Sequence, residues 1–171
     1  MISPTYCHIL AAYNQWINRR LYEVCAQIPD KERKADRGAF FKSIHSTLNH
    51  LLDSDRIWLD RFLGQPAAGK TIGEELYSSF EALRQHREVL DQAIVAWTTT
   101  LSELWLSEPF QYTSNVDGQT RTVPTWILVT HLFNHQTHHR GQLTTLLSQL
   151  GYDYGATDLP WLPQPPWADE G

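Results

Sequence analysis

Four long segments of the chain repeat apolar residues at steps of three and four, which is the period of an amphipathic helix. The segments are residues 5–27, 41–62, 76–99 and 124–151. Pro29 follows the first segment and Gly64 the second, while Pro124 opens the fourth and Gly151 closes it. The apolar stripe of such a helix must be buried against other elements. The pattern therefore predicts an all-α fold, a four-helix bundle.

A different pattern separates the third and fourth helical segments. The sequence SEPFQYTSNVDGQTRTVP sets short aromatic and β-branched stretches on both sides of Asp117 and Gly118, which is typical of a turn or hairpin. Helices three and four are therefore joined by one long crossover loop. With a length of 171 residues, the chain is expected to form a single bundle domain over residues 1–171.

Residues 155–171 make a proline- and tryptophan-rich tail after the last helix. Its large apolar side chains are costly to leave in water: Leu159, Trp161, Leu162 and Trp167. We therefore expect the tail to fold back over one end of the bundle. The alternative is that it covers a contact surface between the two subunits of a dimer.

The charge and hydropathy of the chain restrict its partners. A formal net charge of -5 does not supply the basic field that a nucleic acid or an anionic membrane needs. No apolar run approaches the roughly 20 residues that span a bilayer, and the first residues do not resemble a signal peptide. Cys7 and Cys25 lie too far apart on one helix to pair, so we expect reduced thiols. These features predict a cytoplasmic protein with no nucleic-acid or membrane partner.

Half of the eight histidines lie within nine residues of the fourth helical segment: His131, His135, His138 and His139. By helical phase, His139 falls near the centre of the leucine stripe and His135 one turn earlier on the same side. His131 sits at the edge of the stripe and His138 on the polar face. Two imidazoles at i and i+4 have the spacing of a shared metal ion. The alternative is a buried histidine network that binds no metal.

A metal site that keeps an open position takes three protein ligands, so a third donor is expected. The second helical segment offers His45 and His50. His45 shares its arc with Asn49, Arg56 and Asp60, which predicts a solvated face. His50 flanks the apolar stripe, and helical phase therefore favours it as the third ligand. His8 of the first segment and His86 of the third are the weaker candidates.

Several polar and aromatic residues near these histidines allow more than one role. Asp55 interrupts the apolar stripe of the second helix, and we favour a structural pair with a polar residue such as Asn14. Its alternative role is to orient a ligand imidazole. Gln142 is interpreted as an ordinary polar helix residue, with a hydrogen bond to a bound ligand as the alternative. Trp58 and Tyr112 are expected to pack in the core, and the alternative is that they line a substrate pocket.

At these residues the chain resembles the DinB family, metal-binding four-helix bundles also called DinB/YfiT-like. The resemblance covers nearly the whole chain and rests on three stretches: AAYNQWINRRLYE, FFKSIHSTLNHLLDSDRIWLDRFLG and HLFNHQTHHRGQLTTLLSQLGYDYGATDLP. The family pattern is one histidine of the second helix and an H-x-x-x-H pair on the last long helix, which chelate a divalent metal such as zinc or nickel. Carried over to this sequence, the pattern implies His50, His135 and His139 as ligands.

The resemblance also implies a homodimer and an activity. Characterised relatives include S-transferases and isomerases that use low-molecular-weight thiols such as bacillithiol or mycothiol. Three neutral imidazoles would leave a divalent metal with open positions, where it lowers the pKa of a bound thiol or water. This predicts a thiol S-transferase-like enzyme or a hydrolase with a small-molecule substrate. The alternative is a non-catalytic stress-response or binding module braced by the metal, in which a fourth donor such as His131 or Gln142 closes the site.

Overall fold

The computed structural model describes residues 2–67 and 74–163. Helices make up most of it, as the sequence predicts, and a small sheet accompanies them. The helices are α1 (Pro4–Ala26), α2 (Asp30–Arg33), α3 (Ile44–Phe62), α4 (Phe80–Thr98), α5 (Glu103–Ser107) and α6 (Thr125–Gln149). The strands are β1 (Pro109–Thr113) and β2 (Thr120–Pro124), and a short 3₁₀ turn covers Leu159–Trp161. None of the helices in this part of the chain combines the length and the apolar content needed to cross a membrane.

Serine caps set the start of two long helices later than the apolar pattern predicts. The Ser43 hydroxyl accepts a hydrogen bond from the Ser46 backbone N–H, so α3 begins at Ile44 rather than at residue 41. The residue just before this cap, Lys42, has a left-handed φ of 65° and ends a tight turn. Ser79 caps α4 in the same way, which leaves residues 76–79 as a loop that covers α3.

The predicted hairpin between the third and fourth long helices is confirmed. Strands β1 and β2 pair in antiparallel fashion with Phe110 opposite Val123 and Tyr112 opposite Arg121. Phe110 packs edge-on against Phe62 at the end of α3, with ring centroids 5.6 Å apart. The hairpin therefore lies beside the carboxyl end of α3.

A buried polar network links three of the long helices through Asp55. The prediction that Asp55 pairs with Asn14 is wrong. The Asp55 carboxylate pairs with Arg87 of α4 at 2.8 Å and also accepts from Gln136 of α6. Arg87 continues the network to Asp91 at 2.7 Å. The side chain predicted as the partner, Asn14, instead accepts from Arg140. The role of Asp55 is structural, because no ligand imidazole accepts or donates to it among the described contacts.

The tail folds back against α1 as far as the structure describes it. Tyr13 donates to the backbone carbonyl of Thr157 at 2.5 Å, and Arg20 donates to that of Ala156 at 3.0 Å. Leu162 is buried, whereas Trp161 keeps 67% of its surface exposed. The remaining tail residue of the prediction, Trp167, lies outside the described residues. Cys7 and Cys25 are both free and buried, as expected.

Candidate metal centre

Three histidines from two helices meet in one cluster. His50 projects from α3, and His135 and His139 project from successive turns of α6. The Nε2 atom of His135 lies 3.2 Å from that of His50 and 3.1 Å from that of His139. One ligand atom from each residue lies within 4.8 Å of the other two. The structure thus brings together the three residues that helical phase selected, and their role as metal ligands stays a prediction.

The pKa values of these imidazoles keep them neutral. Burial and, to a smaller extent, the neighbouring His139 and His50 together lower the pKa of His135 to about 3. Burial and His139 together lower the pKa of His50 to about 4. Burial also lowers the pKa of His139. A neutral imidazole keeps a lone pair on one ring nitrogen, and this is the form that binds a metal.

Gln142 decides which nitrogen of His139 carries the proton. Its Oε1 atom lies 2.9 Å from Nδ1 of His139, so this amide oxygen accepts a hydrogen bond from the ring. The lone pair of His139 is then on Nε2, the atom that faces the other two imidazoles. Gln142 was interpreted as an ordinary polar residue, but its contact with the ring gives it an orienting role.

The cluster fits a cation better than it fits a hydrogen-bond network. The Nε2 atoms of His50 and His139 lie 3.2 Å and 3.1 Å from Nε2 of His135, and a shared proton can join only two of the three nitrogens at a time. A divalent cation can accept all three lone pairs, and zinc and nickel both bind imidazole nitrogen. Neither of the two residues considered as a fourth ligand, Gln142 and His131, is placed to bind the same cation. The Gln142 oxygen contacts Nδ1 of His139, and His131 does not belong to the group of close ligand atoms among the described residues.

Phe41 forms an apolar wall that helical phase did not predict. Its ring stacks on His50 with centroids 3.9 Å apart, and meets His139 edge-on at 5.4 Å. Because Phe41 is buried, it shields this side of the cluster from water and holds the His50 ring in place. The sequence signal was the aromatic pair Phe40 and Phe41, which one residue, Lys42, separates from the serine cap of α3.

The prediction that His45 lies on a solvated face of its helix is wrong. His45 is fully buried, and its Nε2 lies 2.9 Å from the backbone carbonyl of Tyr77. Asn49 is buried beside it and accepts from the backbone N–H groups of Leu76 and Tyr77. The loop before α4 covers this face of α3, and helical phase alone does not reveal such a cover. His45 and Asn49 therefore position the loop.

A cavity of about 350 Å³ opens beside the histidine cluster. Its wall on α3 and α6 includes His50, His135 and His131, and the hairpin contributes Tyr112. Trp58 also lines it, packed against Tyr112 with ring centroids 5.1 Å apart. The two aromatic residues expected in the core thus pack against each other and also face the cavity. The cavity volume suits a small molecule.

Comparisons with known proteins identify the family of the chain and proteins that are similar to it. The model of the DinB family matches residues 1–169 of the chain. Protein DinB of Bacillus subtilis (strain 168) is 28% identical over 159 residues, which covers 87% of this chain and 88% of that protein. The crystal structure of a DinB-like protein from Bacillus cereus ATCC 10987 matches with a TM-score of 0.62 at 20% identity, covering 84% of this chain and 90% of that one. The structural likeness shows a common fold.

Proposed function

The chain belongs to the DinB family, and on that premise we propose that His50, His135 and His139 bind one divalent metal ion in a metal-dependent enzyme. The observation that carries the proposal is the convergence of three neutral imidazole nitrogens beside a cavity. Zinc and nickel are the proposed metals, because three nitrogen donors with an open position suit both.

Different residues of the cluster would bind the metal and shield it from water. The three imidazoles hold the metal, and Gln142 keeps His139 in the required tautomer. Phe41 covers one side, so a substrate reaches the cluster from the cavity on the other side. When bound, a divalent metal lowers the pKa of a thiol or water that coordinates it. In the proposed reaction, the sulfur of a low-molecular-weight thiol or the oxygen of water attacks an electrophilic carbon of the substrate. The new C–S or C–O bond replaces the bond to a leaving group, and the proton of the thiol or water is released with that group.

The non-catalytic alternative needs a closed site. A structural metal is enclosed by four protein donors, whereas a catalytic metal keeps a position open for water or substrate. Within residues 2–67 and 74–163, the group of close ligand atoms contains three histidines and no fourth histidine, cysteine or carboxylate. This composition supports the enzyme over a metal-braced binding module.

The proposal keeps a single four-helix-bundle domain as its scaffold. Helix α1 contacts α4 and α6, and α3 contacts the same two helices, which is the neighbour pattern of such a bundle. A homodimer, which the family resemblance implies, and a cytoplasmic location, which the sequence predicts, complete the proposal. Light scattering coupled to gel filtration measures the oligomeric state.

Elemental analysis tests the metal site. The untagged protein should carry close to one zinc or nickel ion per chain, and His50→Ala, His135→Ala and His139→Ala should each lose it. His86→Ala is the control, because this exposed histidine of α4 stacks on Tyr77 with ring centroids 4.2 Å apart and is not in the group of close ligand atoms, so the metal content should be unchanged. A metal-free wild type, even after incubation with zinc or nickel, would refute the proposal. Retention of the metal in any of the three variants would refute the assignment of that ligand.

Cobalt substitution then separates an open site from a closed one. Cobalt(II) in the same three-histidine site should change its visible spectrum when a thiol such as mercaptoethanol is added, because the thiol takes the open position. A cobalt spectrum that no thiol alters would favour the metal-braced module.

A further inference from the structure

The cavity beside the histidines extends along α3. Its lining residues on this helix recur at intervals of about one turn, from His50 through Ser54 and Trp58 to Arg61. The opposite wall on α6 runs antiparallel, because His131 contacts Trp58 with ring centroids 5.3 Å apart, whereas His135 contacts His50. Arg61 lies eleven positions after His50 in the sequence, which corresponds to about 16.5 Å along the helix axis. The cavity is therefore a groove with the histidines at one end and Arg61 at the other.

Arg61 is a partly buried cation without a carboxylate partner among the described residues. Both of its hydrogen bonds use Nη2, which donates to the Thr113 carbonyl at 2.8 Å and to Oδ1 of Asn115 at 3.0 Å. The guanidinium lies 4.7 Å from the centre of the Trp58 ring and 5.2 Å from that of Tyr112. Burial lowers the pKa of Arg61, but a guanidinium stays protonated at neutral pH. The charge is thus held in place and left without an anion.

The remaining donors of Arg61 are available to a ligand. No described residue accepts a hydrogen bond from Nε or Nη1, although an arginine can present five N–H groups in a planar fork. Arg56 on the same helix differs, because it forms an ion pair with Asp53 at 3.0 Å. Asp53 lines the groove as well, so its charge is offset by Arg56, and Glu74 lies exposed. If Arg61 served only to hold the hairpin against α3, the two hydrogen bonds that its Nη2 makes would be enough, and the other N–H groups would have no role.

We propose that the groove binds an elongated small molecule with a metal-coordinating group at the histidine end and a carboxylate at Arg61. An apolar middle part would pack against the rings of Trp58 and Tyr112. The proposal rests on the metal site proposed above and adds the class of substrate that the site selects. A carboxylate suits the fork of Arg61, because guanidinium and carboxylate form paired charge-assisted hydrogen bonds.

A series of thiols with different lengths tests this selection. Cobalt(II)-loaded protein is titrated with mercaptopentanoate, mercaptooctanoate and mercaptoundecanoate, and with the mercapto alcohols of the same chain lengths. The visible spectrum reports coordination of the thiol and yields its dissociation constant. Among the longer thiols, the acid should bind about tenfold tighter than the alcohol, while the short pair should not differ. The preference appears only where the chain reaches from the metal to Arg61.

Arg61→Met should reduce the preference for the long acid to about twofold or less, with cobalt content unchanged. Arg121→Met is the matched control: it removes an exposed arginine of the hairpin that pairs with Asp117 and does not line the groove, so the preference should remain. If Arg61→Met fails to fold, Arg61→Lys replaces it and should keep only part of the preference, because lysine lacks the planar fork.

The outcomes separate the two proposals. Equal affinity for acids and alcohols at every length, with a normal cobalt–thiol spectrum, would overturn the carboxylate site and leave the metal site intact. A preference that persists in Arg61→Met would also overturn it. A protein that binds no cobalt would refute the metal site, and the substrate class would fall with it.

Discussion

Replacement of Arg87 by methionine should destabilise the protein by about 3–5 kcal/mol. The Arg87 guanidinium lies between two buried carboxylates, 2.8 Å from Asp55 and 2.7 Å from Asp91. All three side chains are almost completely buried, so water cannot replace the lost cation. Methionine fills a similar volume, and the loss therefore reports the charge rather than a cavity.

The same variant should show a defined dependence on pH. Burial raises the pKa of Asp91 to about 6 even with Arg87 beside it, and loss of the arginine raises it further. A carboxyl whose pKa is higher in the folded state than in the unfolded state favours folding at low pH, and this stability is lost as the pH rises through the folded pKa. The stability deficit of the variant should therefore grow by about 1.4 kcal/mol per pH unit above about pH 6.

Urea unfolding of the wild type and the variant at several pH values measures both effects. Arg84→Met is the matched control, because Arg84 precedes Arg87 by one turn and its ion pair with Glu88 is exposed to solvent. This control should change stability by less than about 1 kcal/mol. Equal losses in Arg84→Met and Arg87→Met, or a deficit that does not vary with pH, would show that the buried network does not hold the helices together.

Three further predictions concern the histidine cluster. Gln142→Leu should weaken zinc binding by about tenfold or more, because it removes the acceptor that orients His139, and competition with a chelator measures the change. The lowered pKa values of His50 and His135, about 4 and about 3, mean that protons compete with the metal only at low pH. Metal should therefore stay bound on dialysis from about pH 7.5 to about pH 5.5, and its loss there would contradict neutral imidazoles. Phe41→Ala should cost about 3 kcal/mol of stability in urea unfolding, and a loss below about 1 kcal/mol would show that the ring does not pack as described.

The position of the histidine cluster illustrates what local pattern can predict. His135 and His139 are one helical turn apart, so their common face follows from the period of the helix alone. His50 was selected because it flanks the apolar stripe of its helix, and the structure places it 3.2 Å from His135. Helical phase sufficed here because the stripe of each helix faces the same core.

The same argument failed for side chains whose cover comes from a distant part of the chain. His45 was predicted on a solvated face, but Tyr77 lies 32 residues further along the chain and its loop buries that face. The partner of Asp55 was missed for a similar reason, since Arg87 belongs to another helix. A signal was present, because Arg87 lies within the apolar stripe of its helix, where a charged residue requires a buried partner.

The sequence by itself determined the four long helical segments, the hairpin, and the common face of His135 and His139, because these depend on residues only a few positions apart. The tertiary structure decided which faces meet. It brought Phe41 onto His50 and Gln142 onto the outer nitrogen of His139, and it left Arg61 at the far end of a groove. Contacts of this kind depend on how helices rotate and pack against one another. No local period encodes that rotation, because it results from the burial of all the apolar stripes and of the Arg87 network together.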